Sequence, residues 1–261
     1  MKEIYKNILG MIDLTSLNAT DTPASVRAMV DKVNNFNNVF PDYPKPASIC
    51  VYPNFAGIIA ATRRSRDIRI TVVGGSFPAS QSPLKVKLLE CTEAVTDGAD
   101  EVDIVLALNS FFDNRPEEAS REIYEINKAI KAINSDVHLK VILETGALKD
   151  AGLIEQASML AMEAGADFIK TSTGKITPAA TPEAARVMCQ AIAKYYGKTG
   201  RKVGFKPAGG ISTPEEALEY YNIVSDTLGT KWLTPALFRF GASRMANNIL
   251  SALEEREIKY F

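Results

Sequence analysis

The chain has 261 residues, and its 30 Lys and Arg residues against 31 Asp and Glu residues give a formal net charge of −1. The 46% hydrophobic and 23% charged content excludes disordered and fibrous proteins, and the balanced charge gives no basic surface for nucleic acid or a membrane. A single histidine, His138, excludes most metal sites and leaves Lys, Asp, Glu, Tyr and Cys to carry any chemistry.

Short runs rich in β-branched residues alternate with longer helical patterns along the whole chain. The runs predict eight strands, at Gly10–Leu14, Ser48–Tyr52, Ile68–Val73, Glu101–Leu106, His138–Leu143, Phe168–Thr171, Val203–Lys206 and Leu237–Phe240. The patterns between them predict helices at Ser82–Asp97, Pro116–Ile133, Lys149–Ala164, Thr181–Tyr196 and Pro214–Leu228. Asn34–Pro46 is predicted to be a loop, because asparagine and proline dominate it.

Helix start signals support this alternation. Thr181-Pro182 and Thr213-Pro214 each combine an N-cap threonine with a proline in the first turn. Eight strand–helix units in one undivided chain predict a single-domain parallel (β/α)8 TIM barrel over residues 1–261. The alternative is a doubly wound open sheet, for which we would expect an early G-x-G-x-x-G turn; Gly74-Gly75 lacks the third glycine.

The cysteines and the N-terminus indicate the cellular location. Cys50, Cys91 and Cys189 form no C-x-x-C pair, and their odd number argues against a disulfide framework. Lys6 falls within what would be the apolar part of a signal peptide, and no apolar run is long enough for a membrane helix. We therefore expect a soluble cytoplasmic protein.

Charged residues fall inside four successive predicted strands. They are Asp103, Lys140, Lys170 and Lys206, and their separations of 37, 30 and 36 residues each match one strand–helix unit. Strands of a parallel barrel are covered on both faces, so a charge within one must be paired, solvated in a cavity or catalytic. Any one alone is more simply explained as a structural ion pair, but four on successive strands predict side chains converging at comparable heights. Gly204 shares a face with Lys206 and is expected to leave room at the barrel axis.

This combination of residue types has a specific chemical consequence. A lysine with an ordinary pKa of ~10.4 is almost wholly protonated at neutral pH and is a poor nucleophile. Burial and a neighbouring cation both disfavour the charged form, so a lysine in this cluster is expected to attack a carbonyl and form a Schiff base. A second lysine and a carboxylate would then move protons.

Segments rich in glycine and hydroxyl groups follow the last three strands. They are Thr171–Lys175, Ala208–Ser212 and Gly241–Arg244. Barrels often bind phosphate with backbone N–H groups of such loops, and Lys175 or Arg244 would add positive charge. One isolated Gly-Gly pair would indicate only a tight turn, whereas three such loops at one barrel end predict a site for an anionic substrate group.

Several segments resemble the deoxyribose-phosphate aldolase family, in the same order along the chain. The most specific are Phe168–Lys175 (FIKTSTGK) and Val203–Gly210 (VGFKPAGG), and the others are Asp13–Asn18, Cys50–Pro53, Glu101–Asp103, Lys140–Gly146 and Phe238–Ser243. The resemblance covers nearly the whole chain. It implies a class I aldolase, a lyase that reversibly cleaves 2-deoxy-D-ribose 5-phosphate to D-glyceraldehyde 3-phosphate and acetaldehyde in carbohydrate degradation.

The resemblance also implies roles for individual residues. Lys170 would form the Schiff base, Lys206 would lower its pKa and join proton transfer, and Asp103 would act as acid and base through water. The residues implied in substrate and phosphate binding are Lys140, Thr171, Gly174, Lys175, Gly209, Gly210, Ala242 and Ser243. The implied reaction needs no metal and no organic cofactor, and its partners are a small phosphorylated sugar and acetaldehyde.

Three features and two rival functions leave part of this interpretation open. Ala79 stands where the family usually has glycine, and residues 106–109 (LALN) differ from the usual forms. A role in proton transfer for Tyr260, near the C-terminus, is a further hypothesis.

The rival functions are a transaldolase-like Schiff-base aldolase and a non-catalytic sugar-phosphate-binding barrel. Nothing in the exposed pattern selects between a monomer and a homodimer.

Overall fold

The structure is a computed structural model that describes all 261 residues, and its centre is one eight-stranded parallel sheet. The strands are β1 (Ile12–Thr15), β2 (Ser48–Val51), β3 (Arg69–Val73), β4 (Glu101–Val105), β5 (His138–Ile142), β6 (Phe168–Lys170), β7 (Gly204–Lys206) and β8 (Phe240–Ala242). Each pairs with its neighbour in chain order, and β8 pairs with β1. Isolated parallel bridges, Phe205 to Phe238 and Ala208 to Gly241, join β7 to the β8 region and nearly close the ring. The predicted (β/α)8 barrel is confirmed.

Helices follow the strands and cover the sheet. They are α1 (Lys2–Leu9), α2 (Pro23–Val39), α3 (Ala56–Thr62), α4 (Leu84–Thr96), α5 (Leu108–Phe112), α6 (Pro116–Ile133), α7 (Thr145–Leu148), α8 (Ala151–Glu163), α9 (Pro182–Thr199), α10 (Pro214–Leu228) and α11 (Met245–Glu254). The predicted N-caps are confirmed: Thr181 and Thr213 accept backbone hydrogen bonds at the starts of α9 and α10. No helix is both long and apolar enough to cross a membrane.

The predicted loop Asn34–Pro46 is wrong over its first half. Helix α2 continues to Val39, and its apolar residues at three- and four-residue spacing end in Phe36, which is fully buried. Burial of this apolar face outweighs the low helix propensity of the asparagines.

The predicted last strand, Leu237–Phe240, is confirmed only in part, because β8 begins at Phe240 and before it only Phe238 is paired, in the isolated parallel bridge to Phe205. The backbone N–H groups of Leu237 and Phe238 both donate to the Thr234 carbonyl in a turn, while the Leu237 carbonyl accepts from Phe205 N–H and Arg239 N–H donates to the Phe205 carbonyl. Within this segment Phe238 is buried, and its ring stacks on Phe205. An apolar run alone does not distinguish a buried turn from a buried strand.

Aromatic packing fills the space beside Gly204 in the barrel interior. A Cβ added to Gly204 would lie 2.3 Å from a ring carbon of Phe168. The Phe168 ring is buried and lies 5.9 Å from both the Lys140 Nζ and the Arg239 guanidinium carbon. Gly204 therefore leaves room for Phe168 rather than an opening at the axis.

We expect Gly204→Ala to lower the free energy of unfolding by about 1–3 kcal/mol, because the added methyl group would overlap the Phe168 ring. Urea unfolding measures the effect. Gly197→Ala is the matched control: an added Cβ there meets nothing within 4 Å, and in a helix it is expected to stabilise by about 0.5–1 kcal/mol. Equal stability of Gly204→Ala and the parent protein would show that the Phe168 packing is not restrictive.

Candidate active site

The four predicted charges meet at the carboxylate of Asp103. The Nζ atoms of Lys170 and Lys206 both lie 2.8 Å from Asp103 Oδ2, and Lys140 Nζ lies 3.0 Å from Oδ1. Asp103 is in register with Lys140, whereas Lys170 is in register with Lys206 two residues further along the strands. The four residues therefore converge as predicted, but on two levels rather than one.

Three further buried charges complete this cluster, and none was predicted from the sequence. The guanidinium of Arg239 lies 2.6 Å from Asp13 Oδ1 and 2.8 Å from Glu101 Oε1. Asp13 Oδ2 lies 2.5 Å from Lys206 Nζ, and Glu101 Oε2 lies 2.6 Å from Lys140 Nζ. Two of the three predicted lysines thus have a second carboxylate partner besides Asp103.

The electrostatics differ among the residues that share Asp103. Burial lowers the pKa of Lys170, and the nearby Lys206 acts in the same direction, against the opposing attraction of Asp103. Burial also disfavours the charged form of Lys206, but Asp103 and Asp13 outweigh it and raise its pKa. Burial would raise the pKa of Asp103, yet the three lysines hold it far below its usual range. Near neutral pH, Asp103 is an anion and Lys206 is a cation, and Lys170 loses its proton more readily than Lys206 does.

Lys170 lies at the base of a cleft of about 430 Å³ at the carboxyl ends of the strands, and 4% of the residue is exposed. In a TIM barrel this end carries the active site. The cleft is lined by Thr15, Ser16, Leu17, Asn18, Lys170, Thr173, Gly174, Lys175, Ala208, Gly209, Gly241, Ala242, Ser243 and Arg244. These residues come from β1, β6 and β8 and from the segments that follow β1, β6, β7 and β8.

Hydrogen bonds hold the loops of the cleft together. Thr173 donates through its backbone N–H and its hydroxyl to the buried carboxylate of Glu144, which follows β5. Lys175 Nζ donates to the Leu17 carbonyl at 3.1 Å and so joins the loops after β6 and β1. An added Cβ at Gly209 would lie 3.1 Å from the Gly174 Cα, a close backbone approach that requires a residue without a side chain.

The structure brings most of the predicted binding residues to the cleft, but not all. Gly174, Lys175, Gly209, Ala242 and Ser243 line it together with Lys170. Lys140 is fully buried, and its Nζ is engaged by Glu101 and Asp103. Thr171 is buried and exchanges hydrogen bonds with the Ala208 backbone, and the exposed Gly210 is not among the lining residues. The segment Thr15–Asn18, to which no site role was assigned from the sequence, forms one wall of the cleft.

Two other reactive side chains lie outside the cleft. The hydroxyl of Tyr260 donates to the Lys32 carbonyl at 2.7 Å, and its ring packs on Phe36, so the structure does not bring Tyr260 to Lys170. His138 is at the amino end of β5, as expected from the sequence, with its Nδ1 3.8 Å from Glu101 Oε1.

Comparison with known proteins identifies the family. The sequence profile of the DeoC/LacD family aldolases matches residues 8–226. A Caenorhabditis elegans protein provisionally named deoxyribose-phosphate aldolase is 42% identical over 254 residues, which cover 97% of this chain and 82% of that protein.

Solved structures agree with this assignment. The deoxyribose phosphate aldolase from Aeropyrum pernix, described as a tetramer, is 26% identical with a TM-score of 0.75, covering 95% of this chain and 92% of that one. A Toxoplasma gondii structure provisionally named deoxyribose-phosphate aldolase shares the fold, with a TM-score of 0.83 at 21% identity over 97% of this chain and 95% of that one. The chain therefore belongs to the DeoC/LacD family of aldolases, which are lyases.

Proposed function

We propose that this aldolase reversibly cleaves 2-deoxy-D-ribose 5-phosphate to D-glyceraldehyde 3-phosphate and acetaldehyde through a Schiff base on Lys170. The observation that carries the proposal is the environment of the Lys170 amine. Lys170 lines the cleft, and burial lowers the pKa of its amine. The amine and that of Lys206 both donate to the same oxygen of Asp103. A buried amine of this kind is suited to attack a carbonyl.

The reaction follows from these groups. The neutral amine of Lys170 attacks C1 of the substrate aldehyde, and loss of water gives a protonated imine. The C3 hydroxyl loses its proton, the C2–C3 bond breaks, and the imine accepts the electron pair to become an enamine. Glyceraldehyde 3-phosphate leaves, C2 of the enamine is protonated, and water releases acetaldehyde from Lys170. Lys206 and Asp103, the latter through water, move the protons.

The open end of the cleft suits the phosphate group. Gly174 and Gly209 bring backbone atoms to the surface of the cleft, and Lys175 and Arg244 add two positive charges beside them. Helix α11 begins at Met245, directly after Arg244, so its N-terminal N–H groups reinforce an anion site at this end.

We expect Lys175→Met to raise KM for 2-deoxyribose 5-phosphate about tenfold or more, because a hydrogen bond to a charged group is worth roughly 1.5–3 kcal/mol. The kcat value should change little, since the proposed partner of Lys175 is the phosphate group and not the reacting carbons. Steady-state kinetics with the phosphorylated sugar and with unphosphorylated 2-deoxyribose separate the two effects. Lys198→Met, an exposed lysine on α9, is the control. An unchanged KM for the phosphorylated sugar would remove Lys175 from the site.

Product analysis tests the proposed substrate. Incubation with 2-deoxyribose 5-phosphate should yield glyceraldehyde 3-phosphate and acetaldehyde in equal amounts, and the reverse reaction should use acetaldehyde as donor. Transfer from a three-carbon ketone donor, without reaction of acetaldehyde, would identify a transaldolase-like activity instead.

A further inference from the structure

Six buried charged side chains form a closed ring of alternating sign inside the barrel. In order around the ring they are Arg239, Asp13, Lys206, Asp103, Lys140 and Glu101, which returns to Arg239. Every adjacent pair is in contact, at distances between 2.5 and 3.0 Å. Five of the six are completely buried, and Arg239 is 3% exposed.

The charges of this ring cancel, and Lys170 lies outside it. Three cations alternate with three anions, so the ring is neutral when every member is ionised. Lys170 contacts the ring only through Asp103 Oδ2 and would bring the cluster to a net charge of +1. An uncompensated charge in a buried region is strongly unfavourable, so the cluster is most stable after one proton has left it. Lys206 contacts two carboxylates and Lys140 contacts three, the third being Asp13 at 4.0 Å, whereas Lys170 contacts one.

Repulsion between Lys206 and Lys170 does not by itself explain why Lys170 loses its proton. The charge of Lys206 is balanced by Asp13 and Asp103 together, so Lys206 alone is an incomplete explanation for a neutral Lys170. Lys170 differs from the ring lysines because the cations of the ring already balance all three carboxylates. No negative charge is left in the cluster to balance a protonated Lys170.

We propose that Asp13, Glu101, Lys140 and Arg239, which do not line the cleft, are positioning residues that keep the ring neutral and so leave Lys170 as the amine that gives up its proton. The inference rests on the proposed role of Lys170 as nucleophile. It assigns a function to Lys140 other than substrate binding.

Two further titratable groups face this cluster and must be considered in any pH titration. Cys50 on β2 is fully buried, and burial raises the pKa of its thiol, so it stays uncharged. His138 on β5 would add a positive charge 3.8 Å from Glu101 if protonated. A His138→Gln variant removes this group and is expected to leave the titration midpoint of Lys170 in place.

The ring predicts shifts of opposite sign for two residues in direct contact. Lys140→Met leaves the ring with a net charge of −1, so Lys170 becomes its counter-ion and its titration midpoint rises by about one pH unit or more. Glu101→Gln leaves the ring with a net charge of +1, so the midpoint falls by a similar amount. The double variant removes one base and one acid, and its midpoint should return close to the parent value.

Acetylation of Lys170 by acetic anhydride, followed by mass spectrometry across a pH series, measures this midpoint without requiring a Schiff base. Lys131→Met, which breaks an ion pair with Asp167 on the outside of the barrel, is the matched control and should leave the midpoint in place. Circular dichroism checks folding. If Lys140→Met does not fold, Arg239→Met removes a positive charge elsewhere in the ring and predicts the same upward shift.

Three results would overturn the ring proposal: no shift in a folded single variant, shifts of the same sign for Lys140→Met and Glu101→Gln, or a double variant displaced as far as a single one. The last two are what loss of packing alone would give. Failure of the proposed function would give a different result. The parent protein would then be acetylated at Lys170 by acetic anhydride but would not cleave the sugar phosphate.

Discussion

Lys170→Met is expected to reduce the rate of 2-deoxyribose 5-phosphate cleavage by about a thousandfold or more, because it removes the nucleophile. Methionine has a similar length and suits a buried position, so the amine is the main loss. Asp103 keeps Lys140 and Lys206 as partners, and the neutral ring behind it is complete. The variant should therefore fold as well as the parent protein.

Steady-state kinetics and urea unfolding on the same preparation separate chemistry from folding. Lys131→Met is the control for a lysine removed from an ion pair outside the cleft, and it should retain activity. A folded Lys170→Met variant with more than a tenth of the parent rate would show that another group carries the reaction.

Asp103→Asn is expected to cause a large loss of stability, about 3–5 kcal/mol, because breaking a buried ion pair leaves uncompensated charge in the interior. The carboxylate of Asp103 faces three lysines, and an asparagine amide would present N–H donors to them. Cleavage should also fall, because the change removes the proposed acid and base and opens the ring.

The effect of pH on the stability lost in Asp103→Asn follows from the low pKa of Asp103 in the folded parent protein. A depressed carboxyl pKa gives stability that is present above the unfolded value of ~3.9 and is lost only as pH falls towards the folded value. The difference between Asp103→Asn and the parent protein should therefore be the same at pH 7 and at pH 5.5 in urea unfolding.

Asp167→Asn is the control for Asp103→Asn. Asp167 pairs with Lys131 and Arg201 but is partly exposed, so its replacement should cost about 1 kcal/mol. Stability of Asp103→Asn within 1 kcal/mol of the parent protein would contradict the view that Asp103 holds the cluster together.

The barrel could be predicted from the sequence because its signals are local. Apolar runs and helix caps recur at the spacing of one strand–helix unit, and the spacing of Asp103, Lys140, Lys170 and Lys206 follows the same repeat. The exceptions have a common cause. The asparagine-rich end of α2 and the turn before β8 depend on packing against distant residues such as Phe205, which no local pattern shows.

The ring could be predicted only in part. Glu101 lies two residues before Asp103 on the same strand, so side-chain alternation places both on the inner face. Arg239 is different, because it precedes β8 and contacts Asp13 across a separation of 226 residues. That contact exists only because β8 pairs with β1 where the barrel closes, and the local pattern does not fix the direction of the Arg239 side chain.

The most direct measurement for the whole account is reductive trapping of acetaldehyde on the protein, followed by digestion and mass mapping. The parent protein should carry one ethyl group on Lys170, formed faster than on any exposed lysine, and Lys170→Met should lose that adduct while keeping slow surface modification. Addition of 2-deoxyribose 5-phosphate should reduce the trapping rate by competing for the cleft. Trapping at Lys206 in place of Lys170, or no preference over surface lysines, would contradict the assignment of Lys170 as the Schiff-base lysine.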